Sequence, residues 1–388
     1  MQMPPLEFGL DPSGLYLGRL WRPGIGPCLV TLREKEVWDI TSPAAATLSA
    51  LLEAEDIAAY VNGVKGTRVC TLAELEHSTC ARNAPQDRLR LLAPCDLQAV
   101  KAAGVTFARS MIERVIEERA AGDATRASEI RTQVADLIGG SLKDITPGSE
   151  AAARVKALLE AENLWSQYLE VGIGPDAEVF TKAQPLSAVG TGAEIGLHPD
   201  SGWNNPEPEI VLAVSSNGRI CGATLGNDVN LRDVEGRSAL LLGKAKDNNA
   251  SAAIGPFIRI FDQDFDLTDI KQAEILLRIK GAEDGFSLEE SCAMREISRQ
   301  PESIVAQTLG PHHQYPDGLM LYLGSMFAPI QDRDEPGQGF THKLGDQVTI
   351  STPLLGTLCN RINLSNKCPA WSFGTGALMK NLAKRQLL

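Results

Sequence analysis

The segment Pro206-Glu207-Pro208-Glu209-Ile210-Val211-Leu212-Ala213-Val214 constrains the chain more than any other. After Glu209 both faces are apolar, so it reads as a buried strand. Ser215-Ser216-Asn217-Gly218 follows, and Asn-Gly signals a hairpin because a type I′ turn needs positive φ at both central positions. Arg219 to Leu225 then returns as a second strand, ending at Gly226-Asn227-Asp228. With Asn217-Gly218 as a two-residue loop, Val214 faces Cys221, Glu209 faces Gly226 and Glu207 faces Asp228. Opposed residues share a face, and the period of two puts Glu207 and Glu209 on it together. Three carboxylates therefore converge at the open end of the hairpin, where Gly226 leaves room for an ion. Clustered anions repel unless a cation joins them. An all-oxygen set without His or Cys suits a hard divalent ion, Mg²⁺ first, with Mn²⁺ or Ca²⁺ as alternatives. A solvated, frayed strand end is the other reading of the same spacing.

The remaining composition removes whole classes of function. Of 388 residues 43% are hydrophobic, enough to bury a sizeable core, and the formal charge is -12. No Lys/Arg cluster is long enough to offer a polyanion a basic patch, so nucleic acid is not an expected partner. The first residues, Met1-Gln2-Met3-Pro4-Pro5-Leu6-Glu7, lack the basic leader and apolar core of a signal peptide. No apolar run approaches the roughly 18 residues that span a bilayer. Eight scattered cysteines without a C-x-x-C pair read as reduced thiols of a cytosolic protein, with Cys95 or Cys221 as a nucleophile the lesser reading.

Strand-like stretches Leu15-Tyr16-Leu17 and Cys28-Leu29-Val30-Thr31-Leu32 open the chain, and a helix is expected from about Ala44 to Ala59, after Thr41 and Ser42. Asn83 to Asp87 reads as a linker, which suggests domains of residues 1–90 and 91–388. From Phe107 to Tyr168, Met111, Val115, Val134, Leu137, Val155, Leu158, Leu159 and Trp165 recur at helical spacing, an insert covering about 107–170. Beyond Val171 short strands dominate with few β-α alternations, which argues α+β and not a doubly wound parallel sheet. Gly190-x-Gly192 is followed by Pro199 and no helix, so it is not a dinucleotide fingerprint.

At these residues the sequence resembles the fumarylacetoacetate hydrolase superfamily. The resembling pattern is Glu207-x-Glu209, then Gly226-Asn227-Asp228-Val229-x-x-Arg232-Asp233, Lys246 and Gly255-Pro256-Phe257. Arg90-Leu91-Leu92-Ala93-Pro94 and Val105-Thr106-Phe107 precede it. Gly324-Ser325, Gly345-Asp346 and Ile350-Ser351-Thr352-Pro353-x-x-Gly356-Thr357-Leu358-x-Asn360 follow it, in the right order. The resemblance implies a mixed sheet rolled into a partly open barrel, a smaller N-terminal domain, a helical lid and a homodimer or higher homo-oligomer. It implies Mg²⁺ on Glu207, Glu209 and Asp228, a small 2-oxo acid as substrate, and Lys246 as the active-site lysine.

Two departures point to a branch. Members that cleave or decarboxylate 2-oxo acids commonly carry aromatic-x-x-His-x-x-Glu, with His–Glu activating water; here the spacing reads Phe107-x-x-Ser110-x-x-Glu113. The family's Asp-Thr after the lysine is Asn249-Ala250. What remains suits elimination, and the chain resembles the 2-keto-3-deoxy sugar-acid dehydratases, which would make 2,5-dioxopentanoate from a 2-keto-3-deoxy-pentonate. A carbon–carbon hydrolase of an acylpyruvate or a 2,4-diketo-3-deoxy sugar acid is the alternative. Within the resemblance Lys246, Glu113 and Ser110 are the catalytic set. Arg109, Lys182, Arg232, Ser325 and Thr357 are the substrate contacts. All but Arg109 have a plainer reading: a surface loop for Lys246, a part in the fold for Lys182, a solvated helix face for Glu113, a helix cap for Ser110, an ion pair with Asp233 for Arg232, a turn for Ser325 or Thr357.

Overall fold

Short apolar runs bounded by Gly, Pro and Asn make most of the chain a set of strands. The computed structural model describes residues 7–80, 87–121, 123–127, 130, 145–161 and 165–388, without the side chains of Cys80, Ala108 and Arg109. The strands are β1 (Tyr16–Arg22), β2 (Gly26–Arg33), β3 (Glu36–Asp39), β4 (Thr67–Thr71), β5 (Arg90–Leu92) and β6 (Ala99–Gly104). β7 (Glu178–Ala183), β8 (Glu194–Leu197), β9 (Asn204–Asn205), β10 (Pro208–Val214), β11 (Ile220–Asp228) and β12 (Asn230–Leu231) follow. The last are β13 (Ala252–Ile260), β14 (Glu274–Lys280), β15 (Ser287–Ala293), β16 (Leu319–Tyr322), β17 (Gln347–Thr352) and β18 (Gly356–Leu364). Ten strands run in the order β4-β3-β2-β1-β13-β11-β10-β16-β6-β7, and β5 joins through β1. A second sheet runs β15-β14-β17-β18-β8. Both are mixed, since β16–β6 and β18–β8 are parallel and the other ladders antiparallel. Ile210, Leu212 and Leu225 of the first sheet share one core with Ile275, Ile279, Ile350 and Leu358 of the second. The α+β expectation holds, with mixed sheets as its core.

The hairpin β10–β11 lies inside the large sheet, and its turn differs from expectation. Ser215 and Arg219 close a loop of three residues, Ser216-Asn217-Gly218, and Gly218 alone takes positive φ, at 86°. This is a type I turn followed by a left-handed residue, which swings the pairing by one residue. Val214 therefore faces Ile220, not Cys221. The ladder then slips back between Ala213 and Val214, so Ala213 faces Gly222 and Glu209 faces Gly226 as expected. Asp228 N donates to Glu207 O at 3.0 Å, which sets these two acids opposite one another.

The first ninety residues are not set apart from the sheet: Tyr16 and Leu17 of β1 pair with Arg259 and Ile258 of β13. The helix expected over Ala44–Ala59 is two short helices, Leu48–Leu52 and Ile57–Gly63, capped by Thr47 and Asp56. Thr41 and Ser42 do other work: Thr41 Oγ1 accepts from Leu29 N, and Ser42 Oγ bonds Tyr60 Oη. The helical insert contains α1 (Ala108–Ala120), α2 (Glu150–Ala161) and α3 (Gln167–Ile173); Val134 and Leu137 lie outside the described residues. Most of the expected linker, residues 83–86, lies outside them too. Among the described residues no helix is long and apolar enough to cross a membrane.

Gly226 is small for a reason other than an ion. A Cβ there would stand 2.4 Å from the Tyr322 ring and 2.5 Å from Val211, so these side chains fill the space opposite Glu209. Overpacking of this kind costs about 1–3 kcal/mol. Gly226→Ala should lower stability by that amount in urea unfolding, and an unchanged midpoint would show that the strand yields without strain.

Candidate metal centre and active site

The three acids occupy one side of the β10–β11 ribbon. Glu207, Glu209 and Asp228 are each at most 1% exposed, and one carboxylate oxygen from each lies within 4.8 Å of the others. Their interactions differ sharply. Glu207 receives Lys246 Nζ at 2.6 Å, Ser325 Oγ at 2.5 Å and the Arg114 guanidinium. Asp228 has Lys246 Nζ at 3.1 Å and Lys182 Nζ at 2.8 Å. Glu209 accepts from neutral donors, Gly324 N at 2.7 Å and Ser325 Oγ at 3.3 Å.

The electrostatics follow from those partners. Burial pushes Glu207 up, but Arg114 and Lys246 outweigh it and hold the group at about 2. Burial, then repulsion from Asp228 and Glu207, drives Glu209 well above the usual carboxylate range. A buried carboxylate that resists ionising beside two others is a group that a cation would discharge. The donor set is all oxygen and free of His and Cys, which fits Mg²⁺.

Lys246 stands among these acids. It ends the short helix α5 (Leu242–Lys246) and is 2% exposed. Burial lowers its proton affinity, yet Asp228, Glu207 and Glu235 overcome that and raise it above the ordinary lysine value. The neighbouring Lys244 instead reaches Asp200 at 3.4 Å from a half-exposed position. Lys182, fully buried on β7, donates to Val229 O at 3.1 Å and to Lys246 O, tying the strand beneath the acids to α5.

Helix α1 covers the ribbon with a polar face at positions 110, 113, 114 and 117, and turns Met111 and Val115 to an apolar cluster with Tyr168 and Leu169 of α3. Arg114 reaches Glu117 at 2.7 Å, Glu235 at 2.9 Å and Glu207. Glu235 ends α4 (Arg232–Glu235); burial is the largest influence on it and raises it to about 7, against the pull of Arg114 and Lys246. Glu113 is 8% exposed and Glu117 1%, so this face is not solvated. Arg232 pairs with Glu117 at 2.7 Å and Glu113 at 3.6 Å and donates to Pro329 O. Its sequence neighbour Asp233 instead binds Ser201 Oγ and Gly202 N.

A small pocket opens on the cluster, lined by Arg114, Glu178, Glu207, Asp228, Glu235, Lys246 and Ser325 among others. Of the expected residues the structure brings together Glu207, Glu209, Asp228, Lys246, Lys182 and Ser325. Ser110 and Glu113 lie buried on α1, outside the pocket lining. Thr357 faces Ser351 in the second sheet, beside Gly9, and does not line the pocket. The Arg109 side chain lies outside the described residues. His198 Nδ1 stands 3.6 Å from Asp200. Burial raises Cys95 to about 12 and raises Cys221, so neither is a ready nucleophile. Arg114, Glu178 and Glu235 were missed. For Arg114 the signal was present, since 110, 113, 114 and 117 recur at helical spacing opposite Met111 and Val115.

Two outcomes test this network. Arg114 serves three buried acids, so Arg114→Met should cost about 3–5 kcal/mol in urea unfolding; a loss under 1 kcal/mol would overturn the account. Glu235 has a folded-state value raised from 4.5 to about 7, so its contribution is complete below about pH 4.5 and is lost as pH rises through 7. The stability of the native protein minus that of Glu235→Gln should fall across this window, and a constant difference would contradict it.

No family model matches the sequence. The chain is 27% identical over 268 residues to a probable 2-keto-3-deoxyxylonate dehydratase of Haloferax volcanii, covering 63% of this chain and 88% of that one. It is 31% identical over 190 residues to a 2-dehydro-3-deoxy-D-arabinonate dehydratase of Saccharolobus solfataricus, covering 49% of this chain and 60% of that one. A solved 2-keto-3-deoxy-D-arabinonate dehydratase, complexed with magnesium and 2,5-dioxopentanoate, superposes with a TM-score of 0.60 at 21% identity, over 90% of this chain and 99% of that one. A fumarylacetoacetate hydrolase from psychrophilic Exiguobacterium antarcticum does so with 0.54 at 16%, over the same shares. The sequence likeness to these two dehydratases and the fold shared with the solved structures agree with the resemblance carried by Glu207-x-Glu209 and Asp228.

Proposed function

We propose that the protein is a Mg²⁺-dependent dehydratase that converts a 2-keto-3-deoxy-pentonate to 2,5-dioxopentanoate. The observation that carries this is the convergence of Glu207, Glu209 and Asp228 around Lys246 Nζ, at 2.6 Å from Glu207 and 3.1 Å from Asp228. Dehydratases among the relatives support the reaction class, and Ser110 in place of a histidine removes the residue that would activate water for hydrolysis.

Glu207, Glu209 and Asp228 would hold the metal. Mg²⁺ there would draw electron density from a chelated 2-oxo acid, acidifying its C3 protons, and would take up the negative charge that keeps Lys246 an ammonium. Lys246 Nζ then accepts the C3 proton. The C3–H electron pair forms the C3–C4 double bond as the C4–O bond breaks. Glu235, lining the pocket and held near 7, gives the departing hydroxyl its proton, so that water leaves. Glu113, on the same helix face as Arg114, is the second donor we assign. Lys246 returns its proton to C3 as a proton leaves C5, which moves the double bond to C4–C5; the enol then loses its O–H proton and gains one at C4, becoming the aldehyde. Arg114 and Arg232, both committed to buried acids, hold α1 over the reaction, and Ser325 orients Glu207 and Glu209.

Purified protein with Mg²⁺ and 2-keto-3-deoxy-pentonate should yield one aldehyde product. A chelator should abolish turnover, and Glu209→Gln should lower it at least about hundredfold and remove the Mg²⁺-dependent rise in thermal midpoint. Two separate acid products from a diketo substrate, with none from this one, would replace elimination by hydrolysis.

A further inference from the structure

The side of the ribbon that bears the three acids continues beyond Glu207 and Asp228. β9 and β12 pair Asn205 with Asn230 in the same register, and one step further the Arg232 guanidinium lies over the Trp203 ring, 5.1 Å from its centroid. Val229 and Leu231 turn the other way, into the core with Ile210 and Leu212. Alternation therefore places Asn205 and Asn230 on the acids' side, between the Glu207–Asp228 pair and the Trp203–Arg232 pair. Helix α1 touches both flanking pairs, through Arg114 to Glu207 and Glu117 to Arg232. The two asparagines sit beneath it, fully buried.

Their amides are not satisfied. Asn205 Nδ2 donates to Pro206 O at 2.8 Å, but Asn205 Oδ1 and both amide atoms of Asn230 meet no hydrogen-bond partner among the described residues. Buried polar atoms without partners are rare and costly, and each calls for a group to face it.

We propose that Asn205 and Asn230 receive the C5 hydroxyl of the substrate and set the preference for hydroxylated 2-oxo acids. This deepens the dehydratase reading and rests on it. Two residues along a strand advance about 7 Å, close to the span of a five-carbon acid from its chelated head to its terminal oxygen. A hydroxyl donates one hydrogen bond and accepts others; Asn205 Oδ1 supplies the acceptor and Asn230 Nδ2 the donor. A neutral amide pair suits an alcohol, while the carboxylate end goes to the cations around Glu207.

The test compares kcat/KM for 2-keto-3-deoxy-pentonate with that for its 5-deoxy analogue, which has a methyl at C5, both with Mg²⁺. A site built to bond a hydroxyl rejects the analogue that lacks it, so the native protein should favour the hydroxylated acid at least about hundredfold. Asn230→Leu and Asn205→Leu should each cut that ratio at least about tenfold, by lowering the value for the hydroxylated acid. Equal use of both acids by the native protein would overturn the proposal without any variant. So would variants that lower both values in one proportion, which marks a structural role. A native protein that turns over neither acid would reject the dehydratase reading itself, and this inference with it.

Discussion

Mutual repulsion among Glu207, Glu209 and Asp228 is the constraint around which the rest is arranged. Three carboxylates within 4.8 Å, each almost wholly buried, can ionise together only where positive charge is supplied from nearby. The protein brings that charge from three directions: Lys246 from α5, Lys182 from β7 and Arg114 from α1. Each of these elements is thereby pinned to the β10–β11 ribbon. Glu209, bonded only to neutral donors, is left as the acid whose charge is least compensated. The fold compensates two of the acids and leaves the third without a cation bonded to it.

The convergence of the acids was legible in the sequence, but partly through cancelling departures. A two-residue turn predicts the pairing of Glu209 with Gly226; the real turn has three residues, and a slip at Ala213/Val214 restores the register before the acids are reached. Turn chemistry at Asn217-Gly218 allows both geometries, and no local pattern announces the slip. The pairing at the far end is fixed instead by burial, since one residue of shift would turn Ile210 and Leu212 out of the core. Gly226 shows the opposite case. Its smallness was visible, but its reason, the Tyr322 ring from β16, depends on a strand nearly a hundred residues away.

Arg114 and Glu117 on the charged face of α1 were the larger omission. Glu113, Arg114 and Glu117 in a helix of ordinary amphipathicity look like surface residues, because charge in a sequence carries no label for what lies opposite. Only the ribbon, with its own excess of acids, makes that face an interior one. Arg114 compensates Glu207, and Arg232 returns the favourable charge to Glu117, so helix and ribbon exchange cations. Neither half of this exchange is intelligible from its own segment.

That exchange also bears on how α1 can be both held and useful. Buried ion pairs contribute little net stability against an apolar contact of the same size, so a helix meant only to cover the ribbon would be better held by leucines. Its other face follows that rule, with Met111 and Val115 packed against Tyr168 and Leu169. The face over the acids does not, and the difference has a chemical use. A charged 2-oxo acid entering between helix and ribbon meets groups that already tolerate charge in a buried place, and it can take over their partners one at a time. An apolar cover would exclude the substrate together with the water. On the proposed reading, the polar face of α1 is the stability the fold gives up so that an anion can be bound where its neighbouring C–H bond is to be broken.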